Sequence, residues 1–216
     1  MATTKDQELT GLARDERADL AEFLRGLTPQ EWDAQSLCSQ WRVRDVVAHV
    51  ISYDVLSPVQ LVGRFLHGAL PGNSPNAIGV ELSRALGHDE LLHRIESHLT
   101  PTGLTTGFHG AIGLTDAVIH HQDIRRPLGR PRHIPEERLR PALDFALRSP
   151  KLPAKYLVQG LRLAATDLDW SSGEGPEVRG SGEALLMVIA GRRGVATELT
   201  GQGVPVLAGR LESQNR

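Results

Sequence analysis

Cysteine is almost absent from this chain of 216 residues, which carries only Cys38. A single cysteine excludes an intramolecular disulfide and a zinc site built from several thiolates. Such low cysteine use suits a reducing compartment. The first fourteen residues are polar and charged and lack the apolar core of a signal peptide. We therefore expect a cytoplasmic protein.

Long apolar runs and a one-signed excess of charge are also missing. No apolar stretch approaches the roughly 18 residues of a membrane span. With 24 basic and 26 acidic residues the net charge is −2, whereas nucleic-acid binders carry an excess of Lys and Arg on one face. We therefore expect neither a membrane nor a nucleic-acid partner. The one dense basic cluster is interpreted as a solvated end of a helix and comprises Arg125, Arg126, Arg130 and Arg132.

Most of the first 150 residues have the apolar spacing of helices. Aromatic residues make up only 4% of the chain, so the core must consist mainly of Leu, Val, Ile and Ala. The cap pattern at Thr28 and Pro29 starts a short helical turn, and residues 71–79 read as a loop. The pattern predicts helices at 5–26, 43–67 (with a kink or break at Pro58), 80–99 (interrupted near Gly87), 107–125 and 135–148.

The pattern changes after Pro153. Residues 157–165 resemble a strand, residues 171–175 a turn, and Val178 a second short strand. Residues 183–192 are predicted to be helical, and residues 204–207 could close a small sheet. The predicted fold class is mainly α: a four-helix bundle over residues 1–150, followed by a small α/β domain over 151–216.

Three residues on two predicted helices could hold a metal ion. His49 lies in an otherwise apolar run, which implies burial; a buried imidazole needs partners for both of its nitrogens. Asp116 and His120 are four apart and share one face of their helix. Two imidazoles and one carboxylate suit zinc with an open fourth position, and also suit iron(II), nickel or manganese. A hydrogen-bonded core histidine without metal is the alternative.

Neighbouring residues offer supporting roles that the spacing leaves open. His121 points about 100° away from His120, which makes it a supporting or a surface residue. Asp123 or Asp45 could accept the second N–H of a ligand imidazole, while Asp45 could equally serve as a charge at a helix N-terminus. Cys38 is read as a small buried apolar residue, and the three tryptophans as core residues.

Two segments resemble a known family. Residues 38–50, CSQWRVRDVVAHV, are similar to the first signature of the mycothiol-dependent maleylpyruvate isomerase family, which lies within the wider DinB-like group of bundle metalloproteins. The second signature matches at Asp116, His120 and Asp123, followed by the similar run IRRPLG. Residues 163–187, with Gly191 and Arg192, resemble the family's C-terminal part.

The resemblance implies a metal held by His49, Asp116 and His120, with zinc the first choice and nickel or iron as alternatives. It also implies mycothiol or a similar thiol as cofactor. The family's acidic ligand is a Glu, so Asp116 is one methylene shorter. The family's C-terminal part contributes an arginine needed for activity. Arg192 is the expected counterpart, with Arg193 and Arg179 as alternatives.

The resemblance implies an enzyme whose metal-bound thiolate acts on a small electrophile, as an isomerase or an S-transferase. Arg125, Arg126 and Arg192 could each hold a substrate carboxylate; we assign Arg125 and Arg126 to cofactor binding and Arg192 to catalysis. A non-catalytic metal- or ligand-binding bundle is the alternative function, and a purely structural bundle is the third. The expected partners are a small thiol and an electrophilic substrate, and the chain could form a homodimer.

Overall fold

The computed structural model describes residues 4–213, which fold mainly into helices. Packing divides the chain into two compact units, one up to Arg132 and one from His133 onward. The first unit contains α1(Thr4–Arg25), α2(Pro29–Trp32), α3(Val43–Ile51), α4(Pro58–Gly68), α5(Pro75–Glu81), α6(His88–Ser97) and α7(Ala111–Arg125), with a 3-10 helix at Gly103–Thr106. The second contains α8(Glu136–Arg148), α9(Ala154–Val158), β1(Arg162–Ala165), β2(Ser171–Ser172), β3(Glu177–Gly180), α10(Gly182–Ile189), a 3-10 helix at Arg193–Glu198 and α11(Val204–Ser213).

Four helices of the first unit form a closed ring. Helix α1 packs against α6 and α7, and α3 packs against the same two helices. Their shared core is aliphatic and contains Leu20, Leu24, Val43, Val46, Val47, Val50, Ile51, Leu91, Ile95 and Ile124. The predicted fold class, a mainly α bundle with a small α/β part, is confirmed by this arrangement.

Helix α7 starts at a glycine because it lies very close to α1. Gly110 has a φ of 89°, and a Cβ there would meet the Thr10 hydroxyl oxygen at 2.7 Å. Only glycine combines that backbone conformation with so close an approach. This start allows α7 to run along α1 and α3 with nearly every residue from Ala111 to Ile124 buried.

The segment predicted as one helix over 43–67 is two helices. Helix α3 ends at Ile51, and α4 starts at Pro58 in the first position of a helix, where its missing N–H costs nothing. Ser57 and Gln60 form a reciprocal capping box at this start. Part of the loop expected over 71–79 is helical as well, since α5 begins at Pro75.

The second unit builds a three-stranded sheet in the order β2-β1-β3. Strand β1 pairs antiparallel with β2 (Leu163 opposite Ser172) and parallel with β3 (Leu163 opposite Val178). Helix α10 packs on β1 and β3 and against α8. Because α8 packs here, the boundary between the two units falls after Arg132, whereas the sequence analysis placed it after residue 150.

One element of the second unit was assigned wrongly. Residues 204–207 were expected to close the sheet, but they form the start of α11. That helix packs against α9 and the 3-10 helix, with Leu207 and Leu211 buried. A short apolar run can form either a strand or a helix, and which of the two it forms depends on what it packs against.

Candidate metal centre

Two neighbouring helices bring His49, Asp116 and His120 together. We refer to these three residues as the His-Asp-His triad. Asp116 Oδ1 lies 3.4 Å from His49 Nε2 and 3.5 Å from His120 Nε2. The candidate ligand atoms of the triad all lie within 4.8 Å of one another, and the two imidazole rings meet edge to face at 4.8 Å. The arrangement has the donor types and the convergence that a divalent cation requires.

The hydrogen bonds within the triad are long and incomplete. Both contacts from Asp116 to the imidazoles exceed the roughly 3.2 Å of a good N–H···O hydrogen bond. His49 Nδ1 is buried and finds no partner in the described part of the chain. A half-buried carboxylate against two imidazole nitrogens, with no Lys or Arg paired to it among the described residues, fits a cation of modest size.

The electrostatics of the triad agree with this donor set. Burial disfavours charge on Asp116, but the two imidazoles outweigh it and hold the pKa of this carboxyl well below its usual range. Burial likewise opposes protonation of His120, yet Asp116 and Asp123 raise its pKa well above the ordinary value. Burial lowers the pKa of His49. A metal that binds here must therefore displace a proton from His120.

Asp123 fixes the second ligand imidazole. Its Oδ2 accepts a hydrogen bond from His120 Nδ1 at 2.9 Å, and its side chain is completely buried. This contact sets the tautomer that leaves Nε2 facing Asp116. Asp45, the other candidate for such a role, accepts from the backbone N–H of Arg42 at the start of α3. Of the two alternatives that spacing left open, Asp123 is the one that contacts an imidazole of the triad.

A loop before α3 reaches the same place. Trp41 packs against both ligand rings, with centroids 4.9 Å from His49 and 6.4 Å from His120. The Cys38 thiol donates to Asp123 Oδ2 at 3.2 Å. The reading of Cys38 as an apolar core residue and of Trp41 as a simple core residue therefore misses their contacts with the site. Trp32 and Trp170 are buried core residues, as expected.

His121, expected to be a supporting or surface residue, is completely buried in a separate group that we call the Glu16 cluster: Glu16, His121, Arg125 and Arg132. His121 Nδ1 donates to Glu16 at 2.9 Å, and its Nε2 accepts from Arg125 Nε at 2.8 Å. Burial lowers the pKa of His121 to about 4, while His121 and Arg132 lower that of Glu16 to about 2 against the effect of burial.

The predicted arginines have other contacts. Arg125 stacks over the Phe23 ring at 3.9 Å in addition to its bond to His121. The basic cluster is thus not simply solvated, because Arg132 also pairs with the buried Glu16. Arg192 belongs to the second unit, where it donates to the carbonyl of Ala190 at 2.8 Å. The roles assigned to Arg125, Arg126 and Arg192 stay predictions.

Residues 13–101 match the family model described as the mycothiol maleylpyruvate isomerase N-terminal domain. This match confirms the predicted family resemblance. The matched segment includes His49 and ends before Asp116 and His120. No curated protein matches the chain.

Two crystal structures share the fold. One is the mycothiol-dependent maleylpyruvate isomerase, at 17% sequence identity, and the other is a histidine-to-alanine mutant of that enzyme, at 16% identity. Each aligns with a TM-score of 0.61 over 91% of this chain and 92% of the isomerase chain. At these identities the likeness establishes the fold. Among residues 4–213, no helix is both long and apolar enough to cross a membrane.

Proposed function

We propose that the chain is a divalent-metal-dependent enzyme that uses a low-molecular-weight thiol, mycothiol or a close analogue, to act on a small electrophile. Isomerisation of an activated double bond is the reaction we favour, with S-transfer as the variant in which the thiol stays attached. The observation that carries the proposal is the His-Asp-His triad, in which three ligand atoms converge without a Lys or Arg to balance Asp116.

His49, Asp116 and His120 would hold the metal. A bound divalent cation would lower the pKa of a coordinating thiol from near 8.5 and keep it as the nucleophilic thiolate. Two neighbouring residues hold the imidazoles in position for binding this cation. Asp123 holds the His120 ring, and Trp41 packs on both imidazoles and keeps water from their faces.

In the proposed reaction the thiol comes from outside the chain. Cys38 is the single cysteine, and its thiol donates to Asp123, the residue that orients His120. A thiolate that adds to a double bond conjugated with a carbonyl forms a single bond, about which the carbon skeleton rotates. Expulsion of the same thiolate restores the double bond in the new geometry, so that the thiol is recovered unchanged. Zinc is our first choice of metal, and a small thiol and an electrophile are the partners.

Metal content tests this proposal. The protein is purified without chelator or added metal, and the bound ions are counted by mass spectrometry. We expect about one divalent ion per chain in the wild type and its loss in His49→Ala and His120→Ala. His93→Ala, which removes an exposed imidazole from α6, serves as the matched control and should keep the ion.

Activity assays then follow on the metal-loaded protein. Mycothiol-dependent conversion of an unsaturated keto acid, absent in both ligand variants, would support the isomerase. A wild type that neither contains metal nor binds added zinc, nickel or iron(II) would overturn the proposal. A metal-loaded protein without thiol-dependent activity would leave a metal-binding bundle without catalysis.

A further inference from the structure

Arg64 is a buried arginine to which the described part of the chain offers no carboxylate. Only 7% of the residue is exposed, and its single hydrogen bond to the described residues runs from Nη1 to the carbonyl of Ser52, at 2.9 Å. A guanidinium has five N–H donors, and a buried charge is normally paired. The other fully buried arginine of this unit, Arg17, follows that rule, since it lies 3.0 Å from the Asp54 carboxylate.

The surrounding sequence gives Arg64 no counterion. It is the single Asp, Glu, Lys or Arg in residues 55–80. The acidic residues that border this stretch are used elsewhere: Asp54 pairs with Arg17, and Glu81 pairs with the exposed Arg84 at 2.9 Å. The positive charge is therefore held in an uncharged segment that offers it only a backbone carbonyl and an aromatic ring.

That ring connects Arg64 to the candidate metal centre. The guanidinium carbon lies 5.2 Å from the centre of the Tyr53 ring, and the Tyr53 ring meets the edge of His49 at 6.2 Å. Burial raises the pKa of Tyr53, the charge of Arg64 lowers it, and the charge of Asp116 raises it further. The phenol thus lies within electrostatic reach of both charges. One aromatic ring separates the guanidinium from a proposed metal ligand.

The position of the guanidinium depends on a glycine. A Cβ at Gly79 would lie 2.8 Å from Arg64 Nη1 and 2.9 Å from Ser52 Oγ. The Ser52 hydroxyl is buried and has no hydrogen-bond partner among residues 4–213. Two polar groups with unused hydrogen-bonding capacity therefore lie side by side against α5, where a larger residue would displace them.

We propose that Arg64, assisted by the Ser52 hydroxyl, binds a carboxylate of the electrophilic substrate. The inference rests on the proposed function and assigns the residues that would hold the carboxylate of its substrate. A bidentate guanidinium–carboxylate pair would give the buried charge its missing partner. It would also fix one end of a substrate whose reactive carbon lies toward the triad, on the far side of Tyr53.

Binding of maleate, a small unsaturated dicarboxylate, tests the assignment by calorimetry without any turnover. We expect Arg64→Gln to weaken maleate binding at least about tenfold, because a charge-assisted pair is lost. Arg64→Lys should recover only part of that loss. Arg84→Gln removes the same charge from the nearby surface and should bind maleate like the wild type. Thermal unfolding of each variant checks that it is folded.

A second pair of variants leaves Arg64 in place. Gly79→Ala should weaken maleate binding by pushing on Nη1 and the Ser52 hydroxyl. Gly63→Ala, on α4 with open space around it, is the matched control and should leave the affinity unchanged. This pair keeps the test valid even if Arg64→Gln fails to fold.

Measurements on metal-free and zinc-loaded protein separate the two proposals. Arg64-dependent binding in metal-free protein supports the carboxylate site, whatever the fate of the enzyme proposal. Maleate affinity that is equal in wild type and Arg64→Gln overturns the site, while metal retention by the triad would still stand. Inorganic phosphate that binds at Arg64 where maleate does not would also overturn the assignment to a carboxylate.

Discussion

Two histidines that are adjacent in α7 have opposite environments. His120 belongs to the His-Asp-His triad, where the Asp116 carboxylate lies against two imidazoles and raises the pKa of His120. His121 belongs to the Glu16 cluster, where the Glu16 carboxylate forms an ion pair with Arg132. Burial lowers the pKa of His121 there to about 4. The difference lies in the cation. The Glu16 cluster supplies its own as Arg132, whereas we propose that the triad takes up a metal ion from solution.

The largest expected effect comes from removing the carboxylate of the Glu16 cluster. Glu16→Gln leaves Arg132 buried without its counterion, so the free energy of unfolding should fall by about 3–5 kcal/mol. Glu22→Gln, at an exposed position on the same helix, should cost less than about 1 kcal/mol. Urea denaturation measures both. Zinc affinity of folded Glu16→Gln should match the wild type, and a large drop would mean that the two clusters are coupled.

Acid should destabilise the metal-free protein through His121. The unfolded imidazole takes up a proton near pH 6.5, whereas the folded one stays neutral down to about pH 4. The unfolded state therefore binds more protons in that window, and stability falls as the pH is lowered through it, by on the order of 2–3 kcal/mol. Urea titrations in the presence of a chelator would show this slope. It should be visibly shallower in His121→Gln, and an unchanged slope would contradict the assignment.

A smaller effect should follow from the residue that orients His120. Asp123→Ala removes the acceptor of Nδ1, so zinc affinity should fall about 10- to 100-fold. Asp45→Ala, which removes only a cap of α3, should change zinc affinity by less than about threefold, as Asp45 does not contact the triad. Competition with a fluorescent zinc chelator measures both. Equal losses would mean that helix stability, and not ligand orientation, controls the site.

The smallest effect is expected at Cys38. Cys38→Ala removes one weak donor to Asp123 and should lower zinc affinity by no more than about threefold. Thiol-dependent activity should persist in this variant, because the nucleophile comes from the added thiol. Loss of activity with retained metal would place the cysteine in the reaction and would require a different mechanism.

The site residues that could be predicted from the sequence are those whose relative positions follow from their spacing along one helix. Asp116 and His120 share a helix face at a separation of four, and His49 stood out as polar within an apolar run. His121 was misread because its partner, Glu16, is 105 positions away. Spacing along one helix gives the direction of a side chain but not what the neighbouring helix presents to it. The same limit left Asp123 and Asp45 as alternatives until their contacts could be compared.

Other misassignments have local causes. The break between α3 and α4 carries a visible signal, since Ser57, Pro58 and Gln60 form a helix start that could outweigh the apolar continuity across it. Residues 204–207 carry no such signal, and their helix depends on packing against α9. Arg64 could have been noticed as the lone charge of an uncharged stretch, but its burial follows only from the fold.

The loop that carries Trp41 has a consequence for how the chain can be cut. The backbone N–H of Leu37 donates to the carbonyl of Asp123, and α7 covers faces of both α1 and α3. A fragment ending at Pro101, where the matched family segment stops, would lose that acceptor and two of the three triad residues. It would also place apolar side chains of α1 and α3 in water. The shortest fragment that keeps this unit intact therefore extends to Arg132.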